Sequence, residues 1–250
     1  MQGTLSPRAK SAAFLTAQWR DLLMVNYAVD PALLQPLVPE GTTLDRWQGE
    51  ALVSLVGFRF VDTRVLGVSV PWHRDFEEVN LRFYVSRGEG DNRRRAVVFI
   101  RELVPRQAIA FVARAWYNEP YRAVPMQHSI TSDRGTHYRF EWREGSMWTG
   151  LSAHTEGAAS PLEEGSEEQF VTEHFWGYTR QRDGSTVEYE VEHPSWRVWQ
   201  ARDARVHGAL EATYGAEWAR VLRAEPRSAF VAEGSEVTVY RPTRLSRSKA

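Results

Sequence analysis

In the stretch FEEVNLRFYV, Phe76 to Val85, the residues Val79, Leu81, Phe83 and Val85 alternate with Glu78, Asn80, Arg82 and Tyr84. That period of two predicts a β-strand with one apolar face and one mixed face. EALVSLVGFRF, just upstream, sets Leu52, Val56, Phe58 and Phe60 against Val53, Leu55 and Val61. Apolar on both sides and interrupted only by Arg59, it belongs at the centre of a sheet. AVVFIREL, Ala96 to Leu103, follows across a Gly-Asp-Asn turn and completes a hairpin with the first stretch. All three are expected in one antiparallel sheet that closes into a barrel.

The remaining pattern fills in around this hairpin. Trp19 to Val29 reads as the first strand. Asp30-Pro31 is a helix start, an N-cap acceptor ahead of proline, and Pro39-Glu40-Gly41 ends that helix near Leu37. Arg46 to Gly49 reads as a turn. Ile109, Val112, Ala113 and Trp116 have helical spacing, which predicts a short helix over 106–116. Asn118 to Met126, bracketed by Pro120 and Pro125, is expected to be irregular. Strands resume near Gln127, with HYRFEWR and SMWTGLSAH. FVTEHFWGYTR and STVEYEVEH predict a hairpin across Arg182-Asp183-Gly184, and Asp203 to Arg223 an amphipathic helix presenting Leu210, Tyr214, Trp218 and Leu222. A last hairpin is expected to turn at Gly234-Ser235. Many antiparallel strands with a few peripheral helices define a mainly β or α+β barrel class, in a single domain over 1–250. Residues 1–12 read as a loose lead-in and 156–168 as a mobile surface loop.

Composition narrows the chemistry. The chain has 250 residues, 42% of them hydrophobic, and a formal net charge of -1. That balance gives no basis for electrostatic capture of nucleic acid or of an anionic membrane. Arg93-Arg94-Arg95 follows a turn sequence and reads as a solvated hairpin end. The absence of cysteine removes disulfides, thiolate metal sites and cysteine nucleophiles. No apolar leader or membrane span is visible, which places the protein in the cytoplasm by default. The 7 histidines include no pair spaced to chelate from one helix face, and Glu173-His174 and Glu192-His193 read as strand neighbours pointing apart. No metal is therefore expected. GxSxG, Walker and GxGxxG motifs are absent, so no cofactor is expected.

What remains are charges inside apolar strands: Arg59, Glu78, Arg82, Arg101, Glu102 and Arg114. Long charged side chains are seldom fully buried without a partner, so these form either a structural ion-pair network or a ligand site. In the second case Glu78 is the acid or base, Asn80 lies beside it, and Arg82 or Arg114 holds a carboxylate or enolate. Trp176, in the aromatic cluster EHFWGY, is either core or a wall for ligand stacking.

The segments PLVPEGTTLD, VSLVGFRF, FEEVNLRFYV, ARAWYNEPYRAVPM, HFWGYT and AEGSEV together resemble the YqjF-like family (DUF2071), whose function is unknown, from about Trp19 to Pro242. That family is similar in fold to acetoacetate decarboxylase, which implies a closed antiparallel double barrel with an internal pocket. The decarboxylase forms a Schiff base through a lysine. The matching stretch here is YRAVPM, and the resemblance places Met126 at the lysine's position in the pocket. Lys10 and Lys249, near the two ends, are the chain's only lysines, so the imine reaction is not inherited. Glu78, or Glu77 in the neighbouring register, is the counterpart of the decarboxylase pocket glutamate. Three readings stay open: a binder of a small carboxylate- or carbonyl-containing molecule, an enzyme that works without lysine, and a structural or oligomerising barrel. A homo-oligomer fits any of them.

Overall fold

The computed structural model describes residues 12–69, 74–105 and 120–245. The predicted helix over 106–116, and Arg114 with it, lies outside the described residues.

The first half of the chain builds the central wall. Strand β1 runs from Ala13 to Val29, longer than its sequence pattern predicts. The short helix α1, Pro31–Leu34, starts where Asp30 accepts a hydrogen bond from the Ala32 N–H at 2.8 Å, and a 3-10 turn extends it to Leu37. The strands β2 (Thr43–Leu44), β3 (Ala51–Val65), β4 (Val68–Ser69), β5 (Phe76–Arg87) and β6 (Arg94–Val104) follow. β3 is antiparallel to β1 and to β5, and β5 is antiparallel to β6.

Beyond Pro120 the picture departs from the sequence pattern in several places. Tyr121–Ala123 is a short strand, β7, parallel to β6, rather than irregular chain. The two prolines flank it instead of sitting in it, so its backbone donors stay available. β8 (Met126–Ser132), β9 (Thr136–Glu144) and β10 (Met147–Thr155) form an antiparallel run, and β11 is Ser160–Pro161. Helix α2, Glu167–Thr172, takes the FVT expected in a strand, because Ser166 caps it by accepting from the Gln169 N–H at 3.1 Å. Only β12 (Trp176–Arg180) and β13 (Thr186–Glu192) make the expected hairpin. Arg197–His207 is a strand, β14, and helix α3 covers Leu210–Leu222 alone. The apolar face of α3 lies where expected, but pairing with β10 and β15 (Ser228–Tyr240) claims the residues before Gly208. β15 runs straight through Gly234-Ser235 against β1, with no hairpin there. β16 is Thr243–Arg244.

β13 pairs with both β12 and β15, so the path β12–β6–β5–β3–β1–β15–β13 returns on itself as a ring. β14, β10, β9 and β8 extend from β15 as a second layer. The wall β1–β3–β5 is therefore buried on both faces. Leu23, Val25, Val53, Leu55, Leu81 and Phe83 pack against Phe140, Trp142 and Leu151 of the second layer and Trp218 of α3. Gly57 makes this close approach possible, since a Cβ there would lie 2.8 Å from the Phe140 ring. The other face looks into the ring with Leu22, Met24, Leu52, Val56, Phe58 and Phe60. Arg59, the charge that interrupts β3, pairs with Asp21 at 2.5 Å. Asp21 sits at φ 59° in a β-bulge that changes which residues of β1 face inward, so Trp19 and Leu22 both do.

Gly234 has a φ of 76°, and a Cβ there would collide with the Trp19 carbonyl oxygen across the β1–β15 pair. Gly234→Ala combines a left-handed backbone with a backbone clash and should cost about 2 kcal/mol or more. Urea denaturation of the two proteins measures this. An unchanged midpoint would show that β15 does not cross β1 in this way.

Candidate functional site

β5 supplies the inward row of the ring. Its pleat directs Phe76, Glu78, Asn80, Arg82 and Tyr84 to one side and Val79, Leu81, Phe83 and Val85 to the other. Inside the ring lies a cavity of about 200 Å³, walled mainly by apolar side chains, among them the aromatic Trp19, Phe58, Phe60, Tyr121, Trp176 and Trp196. Glu78, Asn80, Arg82 and Trp176 thus come together at one cavity. Met126 does not: it begins β8 and packs into the core on the far side of the wall. Glu77 points away and pairs with His128 at 2.6 Å.

Glu78 is buried but does not pair directly with Arg82. Its carboxyl accepts from Asn80 Nδ2 at 3.0 Å and from the Tyr121 hydroxyl at 3.2 Å. Burial drives its pKa up to about 7, and the two hydrogen bonds and the Arg82 charge only partly oppose that rise. Arg82, half-buried, donates from Nη2 to the Val171 carbonyl of α2 at 3.2 Å. Among the described residues it forms no ion pair. Neutral partners, Asn80 and Tyr121, occupy the Glu78 carboxyl instead.

The sequence pattern did not single out the other polar feature. His174 lies between α2 and β12, not on a strand, and Nε2 meets Asp45 Oδ2 at 3.2 Å with both side chains almost wholly buried. Asp45 also accepts from Arg93 at 2.6 Å and Arg95 at 3.1 Å. Arg94 binds Glu188 at 2.7 Å and stacks over Trp176 at 4.1 Å. The triple-arginine run is thus tied to carboxylates rather than merely solvated. Burial holds the His174 imidazole down to about 4, with the Arg95 and Arg82 charges adding to that and the Asp45 carboxylate opposing it. Burial favours a raised Asp45 carboxyl, but His174 and Arg95 together bring it below the usual range. His174 is therefore neutral at pH 7. Its Nε2–H donates to Asp45, and Nδ1 is a bare acceptor.

On residues that line the cavity, five buried polar atoms find no hydrogen-bond partner among the described residues: Trp19 Nε1, Thr63 Oγ1, Asn80 Oδ1, Arg82 Nε and His174 Nδ1. Buried polar groups are nearly always satisfied, so a cluster of exceptions around one cavity makes it the candidate site. Among the described residues no three histidine, aspartate or glutamate side chains converge as a metal site would need, and no helix is long and apolar enough to cross a membrane.

Comparison with known proteins places these features in a family. The family model DUF2071, described as an uncharacterized conserved protein, matches residues 16–236. The uncharacterized protein YqjF of Bacillus subtilis (strain 168) is 26% identical over 187 residues, covering 73% of this chain and 74% of that protein. Among solved structures, acetoacetate decarboxylase from Legionella pneumophila superposes with a TM-score of 0.66 at 14% identity, over 98% of this chain and 92% of that one. The enduracididine biosynthesis enzyme MppR complexed with pyruvate gives 0.67 at 13% identity, over 96% and 93%. These likenesses show that the fold is acetoacetate-decarboxylase-like.

The Glu78 environment has a measurable consequence. The ordinary carboxyl value is 4.5 and the folded value about 7, so between these pH values the folded chain holds a proton that the unfolded chain has lost. Glu78 therefore favours folding fully below pH 4.5, and that advantage is lost as pH rises through 7. Glu78→Gln removes the effect. Relative to the native protein, the variant should gain roughly 3 kcal/mol in urea-denaturation stability between pH 4.5 and pH 8. A difference that stays constant with pH would mean that Glu78 is not buried as described.

Proposed function

The chain belongs to the DUF2071 family, and from that premise we propose that it binds a small organic acid inside the ring, with Arg82 holding the carboxylate and without imine chemistry. The observation that carries this reading is the Arg82 guanidinium. It opens on an aromatic cavity and has no carboxylate partner among the described residues. An arginine so placed is completed by an anionic ligand, which it can grip through paired N–H donors. Asn80 and Trp176 complete the ligand's surroundings, one polar and one flat. The fold relatives support the same chemical class: MppR is complexed with pyruvate, and acetoacetate decarboxylase carries an oxo acid in its name. Against an imine stands the sequence itself, whose only lysines are Lys10 and Lys249. A thioether at Met126 cannot form one, and that side chain packs away from the cavity.

A second reading makes the same cavity catalytic, with Glu78 as acid or base. One observation favours it: a carboxyl poised at about 7 is matched to proton transfer near neutral pH. A purely structural barrel fits less well, since the polar atoms facing the cavity would then be left unsatisfied without any function. The protein would work as a cytoplasmic receptor or enzyme for a small metabolite.

Titration calorimetry with pyruvate and acetoacetate should detect binding that Arg82→Met weakens about tenfold or more, with circular dichroism unchanged. Borohydride added to either mixture should leave the protein mass unaltered. Absence of binding for both acids and for lactate would overturn the carboxylate reading, and a reduced adduct would overturn the imine-free chemistry.

A further inference from the structure

The unsatisfied atoms around Arg82 differ in sign, and that difference carries information about the ligand. Arg82 Nε is a donor, as an anion requires. Asn80 Oδ1 and His174 Nδ1 can only accept. The Asn80 amide nitrogen is already committed to Glu78, and the His174 Nε2–H to Asp45. Asn80 is two residues from Arg82 on the same face of β5, roughly 7 Å along the strand. His174 follows Val171, whose carbonyl receives the Arg82 guanidinium, by one turn of chain. The anion-binding donor thus has a bare acceptor on either side.

The His174 acceptor cannot change sign by a small adjustment. The His174 ring is packed edge-on against Phe170 at 4.9 Å and tilted on Tyr84 at 4.7 Å. A ring flip would withdraw its N–H from a carboxylate fixed by two arginines. A carboxylate bearing only a ketone offers nothing to these atoms, since both of its functional groups accept.

We infer that the acid bound at Arg82 is a hydroxy acid, whose hydroxyl beside the carboxylate donates to His174 Nδ1 or Asn80 Oδ1. This deepens the organic-acid reading and rests on it. A site built to meet a hydroxyl rejects the analogue that lacks it, because its own buried acceptors then stay unpaired. His174 and Asn80 are in this role specificity-determining residues, with Asp45 holding the imidazole in the accepting tautomer.

The test is a matched set at pH 7 by titration calorimetry: 2-hydroxybutyrate, 2-oxobutyrate and butyrate. The expected order has the hydroxy acid about 10- to 100-fold tighter than either of the others. His174→Phe keeps the ring packing and should bring the three affinities close together. Should that variant fail to fold, Asn80→Ala serves in the same comparison, and the order in the native protein decides on its own. Equal affinity of the three acids for the native protein would overturn the hydroxyl inference yet leave acid binding intact. No binding of any of them would overturn the organic-acid reading as well.

Discussion

Because β1, β3 and β5 are buried on both faces, every residue along them must answer to one of two interiors, and the pleat decides which. The outer interior, against β9, β10 and α3, is dry and close-packed to the point of needing glycine at position 57. The inner one is not filled, and the same strands carry asparagine, glutamate and arginine into it. Where an inward polar group can be matched by protein it is: Ser54, Asn26 and Tyr84 form a closed group, with Ser54 Oγ 2.6 Å from Asn26 Oδ1 and 2.5 Å from the Tyr84 hydroxyl. Most of the unmatched polar atoms among the described residues belong instead to residues that line the cavity.

Electrostatics at the cavity follows from the same burial. Desolvation acts on Glu78 and His174 in opposite directions of pKa, yet in both cases it favours the neutral form. Arg82 lines the same cavity and brings to it a positive charge that an anion can meet. Asp45 remains ionised because two arginines and an imidazole converge on it.

Much of this was legible in the sequence where a single period runs long enough. The alternation in β5 and the two-sided apolarity of β3 locate the wall and its inward polar row, and the missing lysine is visible by inspection. What escaped were features decided by pairing partners rather than by local pattern. The bulge at Asp21 shifts the parity of β1 and brings Trp19 inside. Gly234 reads as a turn because glycine tolerates positive φ, but a neighbouring strand on its flank turns that tolerance into a bend within β15. The capping serine of α2 sat in a segment read as loop, which left His174 assigned to a strand and its acceptor unnoticed. Asp45 carries no local signal at all; only the fold brings it to His174.

The Asp45–His174 contact joins residues 129 positions apart, and Asp45 reaches its two arginines across separations of 48 and 50. Closing so long a span is entropically opposed until the strands between have paired, so this contact belongs to the late part of folding. The accepting nitrogen beside Arg82 is then oriented only in a chain that has completed its ring. A partly folded intermediate would present the arginine without the imidazole, so ligand recognition would serve as a reporter of final closure rather than of early collapse.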